Sequence, residues 1–396
     1  MRRVGVVALG VVWSAVATAA PAPRDVGLAE ALAAVGAAPD HRVAAARADE
    51  AEAGVAAAGA WPRTTLGAST TSRTAWLDLV AALPLPVFGT LEADRAVARG
   101  ELAVAAAEVH AGDLQLAREV AIAWFALARA EARAELARQS AAREDALAGA
   151  AQKRLDSGDA SRADVVLATA AAKRVGAQAA AADGAIDVAS AELAARLGWD
   201  PTRRLHAAGG LPAGPDGAAP AAVAHPELVA ARRRAEAQQA EVDRTSRERW
   251  PRLALDLESA IGDPTLAGTD YRVGLTVELP LFGHGAASVR AAEARLATTR
   301  AAGAAVSARL GAELAAARAR FATASQLAAS LAADVLPAQR EAAELARAAF
   351  REGQAGLVFV LEAERGLAEV EGEAIDARAE AATAFVELEW ASGTVR

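Results

Sequence analysis

The stretch Leu83 to Gly89 reads LPLPVFG, and Leu279 to Gly283 reads LPLFG, with Phe88 and Phe282 set 194 residues apart. Self-similarity at a long interval marks a structural unit used twice, so neither half of the chain is free to fold into something the other half does not. The interval recurs: Gly158 and Gly353 are 195 residues apart, as are Glu192 of ELAARLGW and Glu387 of ELEWASG. Each half opens with a proline-started helix, at Pro39-Asp40 and at Pro226, and leaves it through Trp61-Pro62 or Trp250-Pro251. Strand-like alternation follows, closed by the proline phrase. Then come a long helical stretch, a glycine turn and a returning helix. The first repeat is expected over residues 20–199 and the second over 225–396, joined by a Gly/Pro/Ala-rich linker at 200–224.

The alternating segments have period two. In 252–262, Leu253, Leu255, Leu257 and Ile261 alternate with Ala254, Asp256, Glu258 and Ala260; in 271–279, Tyr271, Val273, Leu275, Val277 and Leu279 alternate with Arg272, Gly274, Thr276 and Glu278. This predicts a hairpin over 252–279 with one apolar and one ionic face. A weaker pair, Arg63 to Ser72 and Thr74 to Leu83, predicts its counterpart over 63–83. Strands of about ten residues suit a tilted crossing of a bilayer. The same alternation also fits a small soluble sheet with one wet face.

The remaining segments read as rods. No proline interrupts Leu91 to Arg154, and Leu102, Val109 and Leu116 recur every seven residues, as a coiled-coil seam requires. At 1.5 Å per residue this stretch spans about 96 Å. Its counterpart, Ala286 to Arg351, sets Val306, Leu310, Leu314, Ala317 and Phe321 on one face. Pro337 removes a backbone donor there and predicts a kink or break just before it. Hydrophobic residues make up 54% of the chain but aromatics only 4%. Alanine supplies the difference, which suits helices at close axial approach better than a thick globular core.

Arg2 and Arg3 precede an apolar run from Val4 to Val16, then Ala17-Thr18-Ala19. This is the layout of a cleaved secretory signal at 1–19, shorter than a spanning helix wants. Its loss moves the formal net charge from −8 to −10, because two Arg and no acid go with it. No later segment offers about 20 strongly apolar residues without charge, so any membrane insertion falls to strands. With no cysteine, there is no disulfide, thiolate metal site or cysteine nucleophile. The histidines at 41, 110, 206, 225 and 284 lack HExxH-type spacing, and His41 and His225 sit at corresponding helix starts, as caps or surface residues. Neither GxSxG nor GxxxxGK[ST] occurs. No enzymatic activity, cofactor or metal is therefore expected. The acidic balance and the lack of Arg clusters interleaved with aromatics argue against nucleic acid.

Taken in order and in duplicate, these features resemble the outer-membrane efflux protein family, the TolC-like channels of tripartite pumps and type I secretion. The resemblance runs from Leu28 to Gly393. It rests on GLAEALAAV before the first long helix, the Pro-started helices with Trp-Pro ends, the paired proline phrases, and two hairpin tips. Tip one reads RLDSGDASRADVVLA (154–168), and tip two reads AFREGQAGLVFVLEAER (349–365). In the second, Phe350, Gly353, Leu361 and Glu362 fit, while Gly356 stands where Ser or Thr is usual and Phe359 where Asp is usual. Pro337 and the short strand regions are similar to the branch associated with heavy-metal and cation export.

The resemblance implies a mainly α fold with a membrane β-barrel contribution. Three protomers would each donate four strands to one twelve-stranded barrel, continued by a periplasmic helical tunnel. The implied function is an outer-membrane exit duct docking a periplasmic adaptor (membrane fusion) protein and an inner-membrane transporter. Elementary physics agrees: a four-stranded ribbon exposes intolerable edges in lipid, eight strands nearly fill their own interior, and twelve leave a passage. Each proline phrase would mark where a hairpin ends and a tunnel helix begins, since proline ill suits a central ladder.

The resemblance also implies site residues. Glu362 would form an acidic ring at the periplasmic entrance, with Phe359 leaving the constriction apolar; the alternative is a solvated helix face. Leu155, Gly158, Ser161, Asp164 and Val165 in one tip, and Gly353, Gly356 and Leu357 in the other, would meet the adaptor, with Asp164 better suited to capping or linking helices than to ions. Asp256, Glu258, Arg272 and Glu278 would line the barrel lumen, or else the wet surface of a soluble sheet. Two competing readings stay open: a soluble periplasmic coiled-coil scaffold or adaptor, and a conduit for secreted polypeptide.

Overall fold

The computed structural model describes residues 23–70, 77–212, 224–261, 270–279 and 284–395. The expected signal segment and residues 280–283 of the second proline phrase lie outside them. The first repeat runs β1 (Arg24–Val26), α1 (Leu28–Ala33), α2 (Pro39–Ala58), β2 (Thr65–Ser69), β3 (Leu77–Leu85), α3 (Thr90–Asp156) and α4 (Arg162–Leu197). After β4 (Leu205–Ala207), the second runs α5 (Pro226–Arg247), β5 (Arg252–Ile261), β6 (Asp270–Glu278), α6 (His284–Ser330), α7 (Leu336–Arg351) and α8 (Leu357–Ser392).

Local chemistry explains the boundaries. Pro39 and Pro226 occupy the first helical position, where an N–H has no intrahelical partner to lose. His225 caps α5, its Nδ1 accepting from the Glu227 N–H at 3.2 Å. It is not a surface residue, however: the ring is buried edge-on against Trp390, and burial pushes its pKa down. His41 instead pairs with Asp113 at 2.6 Å. The break expected before Pro337 takes the form of a π-helical turn over Leu331–Val335. One extra residue in the turn absorbs the missing donor, so the rod continues instead of stopping.

α3 is the spine. Its 67 residues span about 100 Å, and it packs against α2 and α4 of its own repeat and α5 and α8 of the other. Leu116 is buried, and on the second rod Val306, Leu310, Leu314, Ala317 and Phe321 share a cluster with Trp390, as their spacing predicts. Most buried apolar positions are alanine, which lets axes approach closely. At Gly100 the approach is closer still: a Cβ there would lie 2.9 Å from the Ala237 Cα. The thickest core surrounds Val26, Trp124, Phe125, Leu127 and Leu193. There the Trp124 indole N–H donates to the Val26 carbonyl at 2.8 Å.

The described part of the joining segment, 200–212, is not a bare tether. Its β4 pairs in parallel with β1, Leu205 and Ala207 are buried, and Glu131 accepts from the Ala207 amide at 3.2 Å. The other sheet is antiparallel, in the order β2-β3-β5-β6, so the two hairpins lie side by side through β3 and β5. No helix among the described residues is long and apolar enough to cross a membrane.

Candidate functional site

The register of the four-stranded sheet sorts its charged side chains onto one face. One row across all strands reads Leu66, Ala81, Leu257, Val273; the next reads Gly67, Val80, Glu258, Arg272. Adjacent residues in a strand point to opposite faces. One face therefore carries Leu66, Leu79, Leu83, Leu253, Leu255, Leu257, Val273, Leu275 and Val277, and the other carries Asp78, Arg252, Asp256, Glu258, Asp270, Arg272 and Glu278. The apolar face is bare: Leu66 is 79% exposed and Val273 72%. Water does not favour so large an uncovered apolar surface. The outer edges of β2 and β6 have no partner strand among the described residues.

Asp256, Glu258, Arg272 and Glu278 thus share the ionic face. Glu258 stands directly opposite Arg272, Arg272 Nε lies 3.2 Å from Asp270 Oδ2, and the Thr276 hydroxyl donates to Asp256.

At its base the sheet turns into the rods. The proline phrase does not wholly lie after the strand: Pro84 pairs with Ala254 inside β3. The β2 ladder has already ended at Ala82, so the missing N–H of Pro84 costs no bond on that side. The chain turns at Phe88 and Gly89, both left-handed (φ 58° and 71°), directly before α3. Arg247 Nη1 holds this turn by donating to the carbonyls of Phe88 (3.2 Å) and Gly89 (2.8 Å), while the Phe88 ring stacks on Trp250 at 5.4 Å.

At the far end lie the two tips. Gly158 and Gly353 take left-handed φ of 84° and 79°. In both, the amide after the glycine returns to a carbonyl five residues earlier, Asp159 to Arg154 (2.7 Å) and Gln354 to Ala349 (2.8 Å), which closes the helix end with a Schellman turn. Beyond the turns the tips differ. Ser161 and Asp164 form a reciprocal capping box at the start of α4. Gly356 caps α8 with no side-chain bond, and Phe359 occupies the position matching Asp164. The two departures in tip two are therefore the two halves of one capping box. Asp164 does serve as a cap, and the Ser161 hydrogen bonds hold its carboxyl below the usual range.

The tips touch through Leu147, Ala151, Phe350, Leu357 and Val360. Leu357, expected at a docking surface, is buried in this cluster. Leu155 and Val165 are half-buried, Ser161, Gly158, Gly353 and Gly356 are exposed, and Phe359 is 58% exposed. Glu362 is exposed and has no ion pair among the described residues.

Sequence reasoning missed the ionic links between the hairpins. Arg154 donates to the Phe350 carbonyl at 3.0 Å and lies over its ring. Arg133 and Arg129 of α3 grip Asp376 of α8, and Arg143 reaches Glu364 and Glu371. In an Arg/Glu-rich helix, period alone does not separate a buried charge from a solvated one; the only signal was that these residues fall on faces otherwise occupied by Ala and Leu.

A sequence search found no match among curated proteins. Solved structures do match in fold. VceC from Vibrio cholerae, an outer membrane protein, superposes with a TM-score of 0.72 at 23% identity, covering 93% of this chain and 96% of that one. CusC, described in terms of transmembrane channel formation, gives 0.79 at 18% identity, covering 93% and 92%. The Neisseria gonorrhoeae MtrE outer membrane channel, in its open state, gives 0.76 at 19%, covering 93% and 89%. A family model described as outer membrane efflux protein matches residues 32–199 and 220–394. With nearly all of both repeats inside that match, the chain belongs to the outer membrane efflux protein family.

Proposed function

We propose that the chain is one third of a trimeric exit duct in the outer membrane. Such a duct passively conducts substrate from the periplasm after its tips dock a periplasmic adaptor and an inner-membrane pump. The observation that carries this reading is the sheet: one face mainly apolar and exposed, the other bearing its charged residues, both outer edges open among the described residues, mounted on rods of about 100 Å. Sister subunits would pair the edges, lipid would cover the apolar face, and the ionic face, with Asp256, Glu258, Arg272 and Glu278, would line the lumen. At the opposite end, Gly158, Ser161, Gly353 and Gly356 offer exposed backbone to an adaptor, and Glu362 supplies the acid of an entrance ring. The protein is then a conduit and not an enzyme, and the work of transport is done by its inner-membrane partner.

The test is purification from membranes followed by reconstitution. A detergent-requiring trimer that conducts ions in a planar bilayer supports the duct. A monomer soluble in plain buffer that never inserts overturns it and favours the periplasmic scaffold.

A further inference from the structure

Close to the tips, α3, α4, α7 and α8 enclose two carboxylates of unequal fortune. Glu364 of α8, 3% exposed, lies 2.5 Å from Arg347 Nε of α7 and 3.3 Å from Arg143 Nε of α3. Arg143 also reaches Glu371 at 3.0 Å, which Arg340 approaches at 3.5 Å. Glu144, the next residue of α3, is 7% exposed and lies outside ion-pair distance of every described cation. Its Oε2 is buried with no hydrogen-bond partner. It lines a cleft of about 580 Å³ between α3, α4 and α8.

The charges around Glu144 come from every neighbouring helix. Arg143 and Arg133 lie on α3, Arg174 on α4, and Glu364, Arg365 and Glu369 on α8; Arg347 of α7 is committed to Glu364. Burial pushes the Glu144 carboxyl above its ordinary value and the negative charge of Glu364 adds to this, while Arg174, Arg365 and Arg143 offset only part of it. A neutral carboxylic acid suits the packed geometry. An ionised one would have no cation within ion-pair distance and would leave its buried Oε2 unpartnered near a second anion.

We propose that Glu144 is a proton-operated latch between the two helical hairpins. With the proton in place, α3 and α8 pack as described. When it leaves, the carboxylate repels Glu364 and draws in water, and the α7–α8 tip separates from the α3–α4 tip. The sign follows from linkage: the packed state holds the proton more tightly than the opened one. Its advantage is therefore complete below the ordinary carboxylate value and declines as pH rises through the raised value. Opening would uncover the cluster around Leu147, Phe350, Leu357 and Val360, so the latch works against a small apolar contact and not a thick core. The inference concerns packing within this chain and holds whether or not the duct reading does.

The chain has no cysteine, so spin labels can be placed on the full-length protein at Lys153→Cys and Glu352→Cys, one on each tip. The tip-to-tip distance is read by electron paramagnetic resonance in detergent as pH is raised. Wild type is expected to widen with pH, while Glu144→Gln, close in shape but unable to ionise, stays at the short distance throughout. Difference infrared spectra taken across the pH range in which the tips separate should show loss of a protonated-carboxyl band that Glu144→Gln lacks. Should that variant fail to assemble, Glu364→Gln serves instead: it removes the anion that the Glu144 carboxylate would face and one of the two carboxylates that hold Arg143, and so reduces the widening. Identical pH responses in wild type and variant, a distance that ignores pH, or a missing infrared band each overturn the latch. Absence of bilayer conductance with the tip response intact would overturn only the duct.

Discussion

The carboxylate of Asp164 accepts hydrogen bonds from both the amide (3.0 Å) and the hydroxyl (2.8 Å) of Ser161, whose own oxygen accepts from the Asp164 amide at 3.2 Å. At the matching point of the second repeat, Gly356 and Phe359 have no side-chain atoms able to make these bonds. Gly356→Ser with Phe359→Asp should install the missing box and stabilise the start of α8 by about 1 kcal/mol. Slower amide hydrogen exchange in that turn is the readout. Asp164→Ala should speed exchange in the first turn of α4. Because the Asp164 pKa is lowered, the cap is at full strength above the ordinary carboxylate value and is lost as pH falls through the lowered one.

A second expectation concerns the joint between sheet and rod. A Cβ on Gly89 would lie 2.1 Å from Arg247 Nη1, at a φ that side chains resist. Gly89→Ala should cost about 1–3 kcal/mol in backbone strain alone, visible as a lower thermal midpoint. Adding Arg247→Met should relieve the clash but leaves the strain and removes both hydrogen bonds to the turn, so the double variant should not regain the wild-type midpoint.

The two faces of the sheet predict opposite outcomes from neighbouring residues. Val273→Arg on the apolar face should cost about 2–4 kcal/mol if the residue lies at the bilayer midplane, and should deplete the protein from the outer-membrane fraction. Arg272→Gln, one position away, should insert normally. Its reversal potential in a salt gradient should shift toward stronger cation preference, since a positive charge leaves a face rich in acids.

Asp376 gives a further pH signature. Burial alone would raise its pKa, but hydrogen bonds from Arg133 and Arg129 outweigh burial and hold it down. The grip is therefore present above the ordinary carboxylate value and lost as pH falls through the lowered one. The gap in thermal midpoint between wild type and Asp376→Asn should close on acidification. Gly372→Ala should mimic the loss at neutral pH, because its Cβ would displace Arg133.

How far the sequence could be read depended on whether neighbours or distant partners decide a residue's setting. The alternation in 252–278 placed β5, β6 and their two faces nearly to the residue, because period two is a property of the strand itself. The described part of the weaker segment, 63–70, holds a five-residue β2, its Thr, Ser and Ala carrying little alternation. The turns at Gly158 and Gly353 were legible from one residue each. Pro84 was misplaced because its tolerance depends on where a neighbouring ladder stops. Glu144 and Glu364 were invisible, since only the meeting of α3 and α8 makes them buried. Gly356 and Phe359 were noticed as departures, but their kinship as one lost cap needed the hydrogen bonds of Ser161 and Asp164.

α3 belongs to both halves: it leans on α2 and α4, which are made close to it in time, and on α5 and α8, which are not. A nascent chain therefore carries one flank of its longest helix naked while more than a hundred further residues are still being polymerised and exported. Such a polypeptide calls for a holding chaperone in transit, and neither repeat expressed separately should reach a native state.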